Sequence, residues 1–160
     1  MKNLNYWIVA LLALSFSFAS CSNDNDDNTP DYATLAAGTY QGYTKAVAQY
    51  FPNGQFADDQ SVTIKANEDQ TVNVAYISTT FGTFTIENAT VSFANDSYTI
   101  KGEGKTVMGM EGQSSKEYAC ELSATIDKAK TNPSFVFTVP AVMGGLTITF
   151  APGNAPSTDN

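Results

Sequence analysis

No serine–histidine or cysteine–histidine nucleophile pair can form in this chain, because it contains no histidine. Histidine-based zinc and iron sites are excluded for the same reason. Two cysteines remain, Cys21 and Cys120. Cys120 shares a phase with Tyr118, Leu122, Ala124 and Ile126 in "EYACELSATID". That phase is apolar, and a thiol in apolar surroundings has a raised pKa and is inert. Asp58-Asp59, Glu68-Asp69 and Asp96 fall in turn-like stretches, where solvated carboxylates are ordinary. They show no EF-hand spacing of oxygen ligands, so no metal or other cofactor is expected. Glu103, Glu117 and Glu121 lie on the polar phase of their strands, whereas a glycosidase needs two acids facing one cleft. The chain therefore reads as a protein that is not an enzyme.

The aromatic residues are more suggestive. Tyr40, Tyr76, Tyr98 and Tyr118 share the inward phase with Phe84, Phe93, Phe137 and Phe150. Two readings stay open. The rings fill a core, or they line a pocket for a small apolar or amphipathic ligand, since a buried tyrosine hydroxyl needs a partner. On the second reading Tyr40, Tyr76, Tyr98, Tyr118 and Phe137 bind the ligand inside. Gly42, Gly102, Gly104 and Ala124 would leave it space. Met108, Met110 and Met143 lie near predicted turns beside glycines. Flexible thioethers there adapt to an apolar guest or a partner, or plug an end.

Strands must position these residues. From Gly38 onward apolar and polar residues alternate with period two, the mark of strands with one dry face and one wet face. Val62 and Ile64, then Val72, Val74 and Tyr76, then Tyr98 and Ile100, and finally Leu146, Ile148 and Phe150 mark successive inward faces. The first strand, "GTYQGYTKAVAQY", is expected to bend at Gly42. Asn53-Gly54 and Gly144-Gly145 read as hairpin turns. "TTFGTFTIENATVSF" is one bent strand or two, with a break near Asn88. Thr29 is expected to cap a short helical turn with Pro30 at its first position. The count is about eight antiparallel strands. An all-β up-and-down barrel removes exposed edges, and an open β-sandwich is the alternative.

The N-terminal segment carries Lys2, an apolar run from Tyr6 to Leu14 and small residues from Ser15 to Ser20, the layout of a signal peptide. "FASC", Phe18 to Cys21, resembles the lipobox of bacterial lipoproteins. That resemblance implies cleavage before Cys21 and lipid on its sulfur. Two or three acyl chains give lasting membrane attachment, at about 0.8 kcal/mol per buried CH2. The alternative is a secreted protein whose cysteine is there by chance. The run "CSNDNDDN" is similar to signals that send lipoproteins to the outer surface of some Gram-negative anaerobes. The expected location is the bacterial outer membrane, facing outward, with a periplasm-facing anchor as the alternative. Residues 1-20 then form the signal peptide, 21-34 the lipidated cysteine with an acidic disordered tether, 35-156 the barrel and 157-160 a disordered tail. The formal net charge is -8, and no arginine is present. A basic stripe for nucleic acid is lacking, so no nucleic-acid partner is expected.

The stretch from "LAAGTYQGY" to "LTITFAPG" resembles the calycin-like β-barrel domain of small bacterial lipoproteins. "AGTYQG", the "SVTI...TVNV" hairpin, "FTIENATVSF" before "YTIKGEG", and "PAVMGGLTITF" carry the likeness by their order and spacing. It implies a lipocalin-like barrel with a cavity. Gly38-Thr39-Tyr40 resembles the Gly-x-Trp start of lipocalins, with Tyr40 where they have Trp. The function expected from all this is non-catalytic binding of a small apolar or amphipathic molecule in a cell-envelope lipoprotein. The alternative is a protein-interaction module, an accessory subunit or inhibitor, working through its loops and outer face.

Overall fold

The computed structural model describes residues 30–109 and 114–157. The signal-peptide segment, Cys21, Met110 and residues 158–160 lie outside the described residues. A short helix, α1 (Tyr32–Ala36), leads into eight strands: β1 (Gly38–Ala48), β2 (Phe51–Ala66), β3 (Val72–Ser78), β4 (Gly82–Ala94), β5 (Ser97–Met108), β6 (Lys116–Asp127), β7 (Ser134–Val139) and β8 (Leu146–Pro152). Each strand pairs antiparallel with the next, and β8 returns to β1 to close the barrel. The sandwich alternative is set aside: closure leaves no sheet edge unpaired.

Alternation sets the inside. Along β6, Cys120, Leu122, Ala124 and Ile126 are buried while Glu121, Ser123 and Thr125 are exposed. β5 and β6 pair without interruption from Ser97↔Asp127 to Met108↔Lys116. In β4 a plain alternation from Phe84 and Ile86 would turn Asn88, Thr90 and Ser92 inward. A bulge between Ile86 and Thr90, with Asn88 at φ 53°, prevents this. The extra residue shifts the phase by one, so Ala89, Val91 and Phe93 turn inward instead. The break expected near Asn88 is therefore a bulge within one strand.

Two expected turns fall elsewhere. Asn53-Gly54 lies inside β2, in a bulge opposite Val47, with Gly54 at φ 80°. The hairpin turns at Gln49-Tyr50, because Ala48 pairs with Phe51. Gly144-Gly145 is the end of a longer loop between the pair Val139↔Leu146. Its shape comes from two successive turns, closed by Val142 N donating to the Val139 carbonyl and Gly145 N to the Val142 carbonyl. The helix begins at Tyr32, inside the stretch read as tether. Its cap is Asp31, whose carboxylate accepts from Thr34 N at 3.1 Å, rather than Thr29.

The helix closes one end of the barrel. Ala33 and Ala36 are fully buried, and the Tyr40 hydroxyl donates to the Ala36 carbonyl at 2.6 Å. Tyr32 stacks on Phe93 with ring centroids 5.4 Å apart. Lys130, from the β6–β7 loop, donates its ammonium to the Ala37 carbonyl at the same end. The turns β1–β2, β3–β4, β5–β6 and β7–β8 gather at the opposite end.

Candidate functional site

The middle of the barrel is filled by rings. Tyr76, Phe84 and Phe137 form a cluster with centroids 5.1–5.6 Å apart, and all three are fully buried. Phe135 packs between Tyr40 and Phe150 at 5.5 and 5.4 Å. Tyr98 lies against Phe93 and Tyr32 beneath the helix. The hydroxyls of Tyr40 and Tyr76 have partners, as burial demands. Tyr76 donates to Gln60 Oε1 at 2.8 Å, which leaves the Thr44 hydroxyl, 3.1 Å away, to donate to Tyr76. Burial raises the Tyr76 phenol and pushes that of Tyr40 up to about 12.

The glycines expected to leave interior space do not do so. A Cβ on Gly102 would lie 2.7 Å from Ile86 Cγ2 and 2.8 Å from Ala89 Cβ. One on Gly42 would strike the Ala151 carbonyl, and one on Gly104 that of Thr85. Neighbouring strands have moved into the room the missing side chains free. Tyr40, Tyr76, Tyr98 and Phe137 thus face other side chains rather than a void.

A cavity of about 610 Å³ opens instead at the mouth, the end opposite α1. Tyr118, Met108 and Met143 line it, so the structure brings together three of the residues singled out from the sequence. The remaining walls come from the turns. Ser78 Oγ accepts from Thr80 N and Phe81 N, both at 3.2 Å, and this tight turn folds Phe81 inward, leaving it 9% exposed. The two turns of the last loop hold Met143 at φ 51° beside Val142. Phe51 and Leu146 complete the apolar lining. Polar groups are supplied by Gln55, Thr79, Thr80, Ser114, Ser115 and Lys116.

Lys116 carries a signal in the sequence itself. It stands two residues before Tyr118 and four before Cys120, in the inward phase of β6, and pairs with Met108. Phe81 and Val142 gave no such signal, because a turn residue has no strand phase to read. Thr106, fully buried between its register partners Phe84 and Tyr118, has a hydroxyl without a hydrogen-bond partner among the described residues. Cys120 is buried deeper in the barrel, and desolvation pushes its thiol up to about 11. It is a protonated packing group at neutral pH. Among the described residues no three acids or thiols gather as a metal-binding group.

A closed eight-stranded antiparallel barrel, stoppered by a helix at one end and hollowed at the other, defines the class. The chain belongs to the calycin-like β-barrel domain family, whose model matches residues 36–151. Among solved structures it is similar to a Bacteroides fragilis protein described as a "putative outer membrane protein", with 30% identity and a TM-score of 0.63. The likeness covers 78% of this chain but 46% of that one, so this chain spans less than half of its structural neighbour. No match was found among curated proteins.

Proposed function

We propose that the protein is a non-catalytic binding domain of the cell envelope whose mouth cavity takes a small apolar or amphipathic molecule. The observation that carries this reading is the cavity itself. Its volume of about 610 Å³ falls in the range of small-molecule pockets, roughly 300–1,000 Å³, and its lining is mixed, about as polar as it is apolar. The reading moves the ligand from the barrel interior to its mouth, since rings already occupy the interior. Envelope placement draws support from the "FASC" motif and from the name of the Bacteroides fragilis neighbour. On this reading Cys21 carries the lipid, and the protein faces outward from the outer membrane.

Nile red, a neutral apolar dye, tests the cavity. Its fluorescence should rise on binding, and Met143→Asp should weaken binding by at least about tenfold, because a carboxylate would have to be desolvated against the dye. Asp tolerates the positive φ of that position. Unchanged dye binding in the variant would remove the mouth from consideration.

A second reading rests on a different observation. Ile77 is 71% exposed and Val107 45% exposed. They flank Thr83 in one cross-strand row on the outer wall below the mouth. This row, with Tyr50 at 78% exposure on the mouth hairpin, suits a protein partner. Capture from intact cells through a C-terminal tag, compared with an Ile77→Lys variant, tests that alternative.

A further inference from the structure

We infer that the ligand of the mouth is an amphipathic anion, with its acidic head at Lys116 and its apolar tail against Phe81, Met108 and Leu146. The inference rests on the mouth being a binding site and names the class of molecule it takes. The chain has sixteen acids and eight basic residues. A surface drawn at random from that set would be acidic. Among the described residues that line the mouth, however, Lys116 is the one charged group; Glu111 falls in the neighbouring stretch 110–113, outside the described residues.

Its placement is equally unusual. Along β6 the inward phase is otherwise Tyr118, Cys120, Leu122, Ala124 and Ile126. A lysine at the head of that row lays its methylene stem along the apolar wall and holds its ammonium at the rim. Two further lysines toward this end are engaged on the outer face: Lys105 pairs with Glu117 at 2.8 Å and Lys45 lies 5.3 Å over the Phe56 ring. Ser114 and Ser115 stand beside Lys116 and add hydroxyl donors for an oxyanion. A Cβ on Gly109 would lie 2.8 Å from Ser115 Oγ, so that bare backbone makes room for the serine. Lys116, Ser114 and Ser115 stand together at the start of β6, and Phe81 and Leu146 reach the same cavity from the β3–β4 turn and from β8. A negative head at Lys116 thus leaves apolar side chains within the cavity for a hydrocarbon chain.

Displacement of Nile red by three twelve-carbon amphiphiles, each below its micelle concentration, tests this. Laurate, dodecanol and dodecylammonium share a tail and differ in head charge. The wild-type chain should bind laurate about tenfold tighter than dodecanol, with dodecylammonium weakest and the laurate advantage falling as salt is added. Lys116→Gln should bring laurate down to the level of dodecanol without changing dodecanol itself. Lys116→Glu should invert the order of the charged pair. Lys116 is exposed, so these variants should fold, and unchanged circular dichroism would establish that. Equal binding of all three probes, or a laurate preference that survives Lys116→Gln, would overturn the inference while the cavity reading stands. Failure of Nile red and all three probes to bind would overturn both. The Cys21→Ala chain should not sediment with phosphatidylglycerol vesicles. If it does, and laurate fails to compete, the acidic head belongs to a bilayer surface and the assignment to a free molecule is wrong.

Discussion

Tyr40 ties the plug to the barrel through a bond that only its neutral form can make. The phenol must donate to the Ala36 carbonyl. Its pKa is raised to about 12, chiefly by burial and then by Tyr98 and Asp127 nearby. An unfolded tyrosine titrates near 10. Below that pH both states hold the proton, and the group contributes no pH dependence. Between about 10 and 12 the unfolded chain binds fewer protons than the folded one, so stability falls as pH rises. Urea midpoints measured at pH 8 and pH 11 should show this loss. Tyr40→Phe should lower the pH 8 midpoint by about 1 kcal/mol of stability, since it strands a buried carbonyl. It should also make the alkaline decline shallower, although Tyr76, raised in the same direction, keeps part of it. Single residues were the least legible scale. Aromatic phase in the strands placed Tyr40, Tyr76 and Phe137 inside, but could not say whether their rings meet each other or a guest. That depends on how closely the strands across the barrel approach.

Strands and turns decide that approach. The period-two pattern reveals β6, β3 and β8 almost to the residue, because each buries one face and wets the other. It fails where backbone geometry overrides local chemistry. Asn53-Gly54 has the chemistry of a hairpin turn, yet the pairing Ala48↔Phe51 places the turn earlier and leaves Gly54 to serve a bulge. The sequence points to a break near Asn88 and leaves open one strand or two; the structure makes it a bulge, which keeps Thr90 and Ser92 on the outer face. Gly104 is an element-scale device: it lets β4 approach until the Thr85 carbonyl lies where a Cβ would stand. Gly104→Ala should therefore push β4 and β5 apart and cost about 1–3 kcal/mol. A thermal melt should register this as a drop of several degrees. An unchanged melting temperature would mean that the gap can widen at no cost.

At the scale of the molecule, the barrel was legible from strand count, even spacing and the absence of long apolar helices. The location of its cavity was not. A closed barrel of eight strands can be filled by its own side chains or can hold one small ligand, and the choice turns on summed volumes that no single stretch reveals. Here large rings fill the middle, and space is left where the turns splay apart. The proposed anchor is also a whole-molecule property. Cys21→Ala should move the protein from the membrane to the soluble fraction on cell fractionation. Persistent membrane association would show that something other than lipid on that cysteine holds it.

The two ends of the barrel are not equivalent, and the chain enters at the stoppered one. Pro30 and Asp31 lead into α1 there, and β8 runs back to finish at the same pole. β1 extends eleven residues from that pole to the other, roughly 35 Å at about 3.3 Å per residue. On the proposed anchor at Cys21, the tether would join the barrel at the end opposite the hollow. The open rim would then be the part of the barrel farthest from its point of attachment, free to meet what arrives from the medium.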